Sequence, residues 1–366
     1  MKLCIDARMV SCSGIGTVLK NLIPPLSSAP FSTSLIAHPN ARKEEKWIVD
    51  HAWVECDAPI YSIKEQVAIP KLIPECDIFW SPHYNVPLWP IRAKKRIVTI
   101  HDAYHLAFKD SLGWKKKLYA QAMFRQAACR SDAIITDSKF SQDELSRLLS
   151  ISKDRIQVIY PAVDFERFSQ KIPQEDKESL RKKYSLPSSF FLFVGNLKPH
   201  KNLRLILDAY ERVEIDIPIV VLGKKSGLLQ LDPALQRIEN NPKLQHRVFP
   251  VGQVLDDEIP AFYQMAIALV FPSLYEGFGL PPLEAMAASC PTIVSSRASI
   301  PEVCGDAASF IDPGNPEELG HAMIQTARDE ALRDSLVEKG RIQAQKFSWK
   351  ATANQYRNVF EEIHFG

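Results

Sequence analysis

Across 366 residues the sequence has only 14 glycines, against 26 prolines, and neither recurs with a period. That excludes a collagen-like chain, a Gly/Ser linker and low-complexity sequence. The seven cysteines, at 4, 12, 56, 76, 129, 290 and 304, form no C-x-x-C pair and leave one over when paired. They argue against a disulfide framework or a zinc cluster and for free thiols in a reducing compartment. No apolar run approaches the roughly 18 residues that span a bilayer. The start, Met1-Lys2-Leu3-Cys4-Ile5-Asp6, lacks the apolar core of a secretion signal. A cytosolic chain, attached at most to a membrane surface, is expected. A Walker A loop, a His-Glu-x-x-His site and a Gly-x-Ser-x-Gly elbow are all missing. The net charge of +2 does not suggest a nucleic-acid partner.

What is present is a globular composition, 46% apolar and 24% charged. At about 100–200 residues per domain the length predicts two domains. Short apolar runs at 2–6, 34–37, 77–80, 96–100, 132–136 and 155–159, then 190–194, 217–222, 268–271, 292–294 and 308–311, read as strands. Between them lie helical patterns such as Leu203, Ile206, Leu207, Tyr210 and Val213. This alternation predicts an α/β protein of two doubly wound parallel sheets, with ligands beyond the carboxyl ends of the strands in a cleft between the domains. The polar stretch 165–189 is the boundary, giving domains 1–168 and 187–346, and a C-terminal helix at 347–366 is expected to pack back on the first domain.

Charge is uneven. Residues 1–170 carry 23 Lys and Arg against 18 Asp and Glu, and the excess gathers in 92–130, with ten basic residues against Asp102 and Asp110. Trp114-Lys115-Lys116-Lys117-Leu118-Tyr119 mixes aromatic and basic residues as membrane-surface helices do, so an anionic membrane face is one reading and a solvated helix face the other.

Four segments carry candidate chemistry. Pro272 to Ala287 contains Glu276-Gly277-Phe278-Gly279-Leu280-Pro281-Pro282-Leu283-Glu284 and reads as strand, loop and helix start, where free N–H groups and the helix dipole suit an anionic or hydroxyl-rich ligand. Glu276 and Glu284 can accept paired hydrogen bonds from vicinal hydroxyls of a ribose or a sugar. Gly195 to Leu203 reads the same way. Lys201 opposes the helix dipole there, and a diphosphate would justify its position. His101 ends the apolar run Ile97-Val98-Thr99-Ile100 and can donate to a sugar hydroxyl or an oxyanion; His83 and His105 are weaker candidates. Gly14-Ile15-Gly16 follows the first strand, but Leu19 replaces the third glycine of a dinucleotide fingerprint.

Together these segments resemble the family 4 (group 1) retaining glycosyltransferases of GT-B architecture. So do Ser81-Pro82-His83, Asp137-Ser138, Val158 to Asp164, Val251-Gly252-Gln253-Val254 and Pro301 to Ala307. The resemblance implies two Rossmann-like domains facing across a cleft that closes on a nucleotide sugar. It implies Glu284 on the ribose, Lys201 on the diphosphate, and Glu276 with the backbone of Phe278, Gly279 and Leu280 on the donor sugar. Gly195, His200 and Asn202 would complete that side. Gly14 and Gly16 would approach the phosphates, and His101 the sugar near the reacting carbon. His101, Glu276 and Lys201 would carry the chemistry.

No D-x-D carboxylate pair is present, so no metal and no other cofactor is expected. The cast of the second half resembles mannosyltransferases that use GDP-mannose, with a glycan or lipid-linked acceptor of cell-envelope polysaccharide or lipopolysaccharide. Glucosyl, N-acetylglucosaminyl or rhamnosyl transfer, a sugar-nucleotide epimerase and a non-catalytic sugar-nucleotide scaffold are the competing readings.

One residue departs from the family pattern: many relatives have Arg before the phosphate lysine, where this chain has His200. An imidazole is only partly charged near neutrality. Donor affinity should therefore weaken as pH rises through 7 in the wild type and stay flat in His200→Gln. Titration of nucleotide-sugar binding at a series of pH values checks this, and equally flat profiles would rule it out.

Overall fold

The alternating apolar runs form two wholly parallel sheets in this computed structural model, which describes all residues except 29, 42–44, 46, 49–50, 109–113 and 224–232. The first holds β1 (Lys2–Asp6), β2 (Ser32–Ala37), β3 (Ala52–Glu55), β4 (Cys76–Ser81), β5 (Ala93–Thr99), β6 (Ala133–Thr136) and β7 (Ile156–Val158), in the order β3-β2-β1-β4-β5-β6-β7. The second holds β8 (Phe191–Val194), β9 (Ile219–Leu222), β10 (Val248–Gly252), β11 (Leu269–Phe271), β12 (Thr292–Ser295) and β13 (Ser309–Ile311), in the order β10-β9-β8-β11-β12-β13. Both orders reverse once, between β1 and β4 and between β8 and β11, as in doubly wound nucleotide-binding sheets.

Two strands escape a search for apolar runs, β3 and β10, and both are sheet edges. An edge strand needs only one apolar face. Ala52–Glu55 is nowhere fully buried, and Val248–Gly252 contains Pro250, which an edge tolerates because one side of its backbone has no ladder to complete.

The chain separates into two compact units, Met1–Pro161 with Trp349–Gly366, and Ala162–Ser348. The expected first-domain end at 168 is therefore seven residues too late, and 169–186 is no free linker. The helix Phe165–Ser169 packs on the helix Leu280–Ala287. Gln264 grips the segment after it, accepting from the Ile172 N–H at 3.2 Å and donating to the Gln170 carbonyl at 2.8 Å. Lys183 and Tyr184 both bond Glu258, each at 2.6 Å. Polar side chains make these attachments, so no hydrophobic pattern announces them.

In the first unit, β1 sends Leu3 and Ile5 to one face and Cys4 to the other. The Leu3 face is covered by the helix Ser13–Leu26 through Leu19, Leu22 and Ile23, and by the C-terminal helix Trp349–Phe365 through Tyr356 and Phe360. That last helix is fastened to the sheet: Trp80 Nε1 donates to Thr99 Oγ1 at 2.9 Å, Thr99 Oγ1 lies 3.1 Å from Tyr356 Oη, and the Trp80 and Tyr356 rings are 5.1 Å apart. The second unit has its own core, in which Phe191, Phe193, Val221 and Val270 meet Ile206, Tyr210, Leu319 and Met323.

Phe360 is fully buried in the first unit although it lies at the far end of the chain. Phe360→Ala should cost about 3–5 kcal/mol, and the loss should appear in the unfolding of Met1–Pro161 rather than of Ala162–Ser348. Denaturation followed by hydrogen exchange in each unit checks this.

Candidate functional site

At the reversal point of the second sheet, β8 and β11 are neighbours whose following loops must part. The β8 loop runs through Gly195 and a short 3₁₀ turn, Pro199–Lys201, to Asn202, where the helix Leu203–Arg212 begins. The β11 loop runs from Pro272 to Gly279, where the helix Leu280–Ala287 begins. The structure joins the two loops through charge: Lys201 Nζ lies 2.7 and 2.9 Å from the carboxylate oxygens of Glu276, 75 positions away in sequence. The same ammonium sits 5.5 Å above the Phe271 ring.

Several residues hold this geometry. Asn202 adopts the left-handed conformation, φ 60°, that asparagine tolerates better than most residues. Its side-chain NH2 donates to the Pro272 carbonyl at 3.1 Å and the Pro313 carbonyl at 2.9 Å and so ties the loops together. The Leu274 N–H donates to the His200 carbonyl at 2.8 Å. Gly195 passes beneath the Lys201 stem, and a Cβ there would lie 3.7 Å from Lys201 Cδ, an ordinary contact. Gly279 has φ +115°, and a Cβ there would come within 2.7 Å of Ile300 Cδ1, so this helix start requires glycine. Phe278 buries its ring edge-on against Phe347, centroids 5.6 Å apart, and leaves only backbone to offer. Leu280 opens the helix and Pro281 follows, as an N-terminus favours.

Glu284, in the first turns of that helix, belongs to a different cluster. The hydroxyl of Tyr263, which is fully buried, donates to Glu284 Oε2 at 2.9 Å. Burial pushes the Glu284 carboxyl above its ordinary range, while the Tyr263 bond and the Arg167 charge pull the other way. Tyr263 and Ser299 are functional-looking residues that no motif flagged. Ser299 Oγ reaches the carbonyls of both Glu276 and Phe278, at 3.0 and 2.7 Å, and so sets the curvature of the loop.

In the first unit, His101 follows β5 and both of its ring nitrogens are engaged. Nδ1 lies 2.7 Å from Asp137 Oδ2 and Nε2 lies 2.9 Å from the Pro82 carbonyl. Both partners accept, so the ring donates from both nitrogens, the imidazolium form. In this arrangement neither ring nitrogen of His101 is left over for a sugar hydroxyl. Gly16 sits in the first turn of the helix Ser13–Leu26, where a Cβ would lie 2.3 Å from the Val10 carbonyl oxygen, so packing alone demands glycine. A Cβ on Gly14 would meet nothing within 4 Å.

The basic segment is less free than its composition suggests. Arg96 donates to the Pro87 and Trp89 carbonyls, Arg130 to the Leu88 carbonyl, and Lys94 pairs with Asp77 at 2.8 Å. Trp114 and Leu118 are exposed one helical turn apart. Residues 109–113 and the side chains of Lys115 and Lys116 lie outside the described residues. No described helix is long and apolar enough to cross a membrane.

A family model described as Glycosyl transferases group 1 matches residues 176–343, and one described as Glycosyltransferase Family 4 matches residues 12–167. The O-antigen chain mannosyltransferase B of Escherichia coli is 29% identical over 291 residues, 78% of this chain and 74% of that protein. The serotype-specific mannosyltransferase WbdA of Escherichia coli is 33% identical over 228 residues, 62% of this chain but only 28% of WbdA. Among solved structures, Anabaena HepE in complex with UDP-glucose aligns with a TM-score of 0.80 at 16% identity, over 99% of this chain and 100% of that one. WaaG, a glycosyltransferase involved in lipopolysaccharide biosynthesis, aligns with a TM-score of 0.73 at 12% identity, over 98% of this chain and 99% of that one. Likenesses at such identity bear on the fold, and both share it.

The His101 pair has a consequence for stability. Burial opposes the charged ring, but the Asp137 charge and hydrogen bond outweigh it, so the His101 pKa is raised. A raised folded pKa contributes stability that is complete below the unfolded value, about 6.5, and is lost as pH rises through the folded value. Stability of the first unit should therefore fall with pH above about 6.5, and Asp137→Asn should flatten that slope. Urea midpoints across the neutral to alkaline range measure both.

Proposed function

The chain belongs to the family 4, group 1 glycosyltransferases of GT-B fold, and from that footing we propose that it moves mannose from GDP-mannose, with retention of configuration, onto a glycan or lipid-linked acceptor of lipopolysaccharide or a related cell-envelope polysaccharide. Two of the relatives, both mannosyltransferases and one of them of an O-antigen chain, support the sugar and the pathway. The observation that carries the reaction type is the Lys201–Glu276 pair at the strand-order reversal of the second sheet.

Breaking a glycosyl–phosphate bond builds positive charge on the sugar and negative charge on the departing diphosphate, so fixed cations and N–H groups at the phosphates lower the barrier. Lys201 is such a cation, already oriented. In the free protein Glu276 neutralises it. A diphosphate arriving at Nζ would compete for the ammonium and release the Glu276 carboxylate to accept from hydroxyls of the donor sugar. The N-terminus of the helix Leu280–Ala287 adds backbone N–H groups of the right polarity. Glu284, held by Tyr263, would accept from the ribose hydroxyls. His101, with both nitrogens committed, would serve as a fixed positive charge in the first unit. In this reading the charge at the phosphates comes from Lys201 and the helix terminus without a metal ion. The exposed Trp114 and Leu118 favour an acceptor presented at a membrane surface.

A thermal-shift screen of sugar nucleotides should give the largest rise with GDP-mannose, and an equal or larger rise with UDP-glucose would overturn the donor. On the same material, Lys201→Ala should lower turnover by about 100-fold or more with little change in GDP binding, whereas Glu284→Ala should weaken both. Unchanged turnover in Lys201→Ala, or loss of turnover with a chelator, would refute the assignment.

A further inference from the structure

A second concentration of site-like features lies in the first unit, on three loops that all leave carboxyl ends of strands. Tyr61 follows β3, Tyr84 follows β4, and Tyr104 and His105 follow β5. Their rings form a connected series that starts in the core. Phe124, fully buried, stacks on Tyr84 with centroids 4.1 Å apart, and Tyr84 stacks on Tyr61 at 5.7 Å. His105 stands edge-on to Tyr84 at 5.9 Å and to Tyr104 at 5.6 Å. Tyr61, the outermost ring, is 45% exposed. It is also held at φ 64°, a left-handed conformation that bulky residues rarely adopt and that persists only where the surroundings impose it.

Those surroundings are a buried ionic network that ties the Tyr61 loop to the Tyr84 loop. Ser62 caps the helix Ile63–Leu72: its hydroxyl accepts from the Glu65 N–H at 3.2 Å, and Glu65 Oε1 accepts from the Ser62 N–H at 3.1 Å. The same Glu65 accepts from Asn85, the neighbour of Tyr84, and from Arg8 Nη1 at 2.9 Å. Arg8 in turn holds both oxygens of Asp6, at 2.8 and 2.7 Å, and the Tyr119 hydroxyl donates to Asn85 Oδ1 at 2.5 Å. One carboxylate therefore sets the spacing of the two stacked rings before any ligand arrives.

The adjoining polar group is Asp102. Its Oδ1 accepts from the Tyr104 N–H at 2.8 Å, and among the described residues Oδ2 has no partner. That bond places Asp102 at the root of the loop that carries Tyr104 and His105, whose rings lead on to Tyr84. A flat, preset aromatic face beside a carboxylate matches a pyranose ring, whose C–H face packs on aromatic carbon while its hydroxyls donate to the carboxylate.

We propose that Tyr61, Tyr84, His105 and Asp102 form the subsite that receives a pyranose unit of the acceptor glycan. That the glycan is an acceptor rests on the transferase reading above; that the subsite binds a pyranose does not. Its position fits the rule that open parallel sheets bind ligands beyond their carboxyl ends.

The test uses the full chain with GDP present and two probes, methyl α-mannobioside and methyl maltoside, followed by saturation-transfer NMR. At least one probe should receive saturation on the C–H protons of one ring. Tyr61→Gly removes the ring and keeps the left-handed backbone, so the fold should be retained, as circular dichroism would verify. It should weaken probe binding about fivefold to tenfold, as expected for one lost aromatic face. Tyr61→Phe should bind nearly as the wild type does, Asp102→Asn should weaken binding, and GDP affinity should stay unchanged in all three. Wild-type strength in Tyr61→Gly, or no saturation transfer to either probe, would overturn the subsite. If GDP does not bind but Tyr61→Gly still loses the sugar, the subsite stands and the GDP-mannose reading falls.

Discussion

The Lys201–Glu276 ion pair is the interaction on which the second unit's geometry turns. It closes the gap where β8 and β11 send their loops apart, and the surrounding residues serve to let it form. Asn202 lashes one loop to the other, Ser299 curves the backbone that presents Glu276, and Gly279 lets that backbone enter a helix at once. The pair itself contributes little net stability: both side chains are largely buried, and desolvation offsets their attraction. Its value is placement: a cation and a carboxylate held at contact distance, with water on one side, can exchange their partnership for one with a charged ligand at small cost.

The first unit manages charge in the opposite way. Arg8, Asp6 and Glu65 are almost fully buried and satisfy one another through several hydrogen bonds. Such a cluster gains little over an apolar core of the same shape, because desolvation offsets the attraction. What it does supply is registration between loops distant in sequence. The Arg8 fork spans Asp6 at the end of β1 and Glu65 in the helix after β3, and through Asn85 the network reaches the loop after β4. Charge is thus spent on rigidity in one unit and kept available in the other.

Much of this was legible in the sequence. Interior strands such as β8 and β11 are buried on both faces, so each reads as a short unbroken apolar run. The edges β3 and β10 are not, and they were invisible for the same physical reason. The E-x7-E segment was legible because its meaning is local: a strand end, a glycine that must turn, a proline at a helix start and two carboxylates eight positions apart. The unit boundary was misplaced because residues 165–184 attach through Gln264 and Glu258, and polar contacts leave no periodic trace.

The sequence alone therefore determined which elements form and which side chains stand at strand ends, because backbone preference and hydrophobic periodicity act over a few neighbours. Only the tertiary structure decided who meets whom. Lys201 finds Glu276, Tyr263 finds Glu284, His101 finds Asp137 and Tyr61 finds Tyr84 across separations of 21 to 75 residues. Those pairings depend on strand order, and strand order is settled by how whole sheets bury their faces, which no local stretch of sequence encodes.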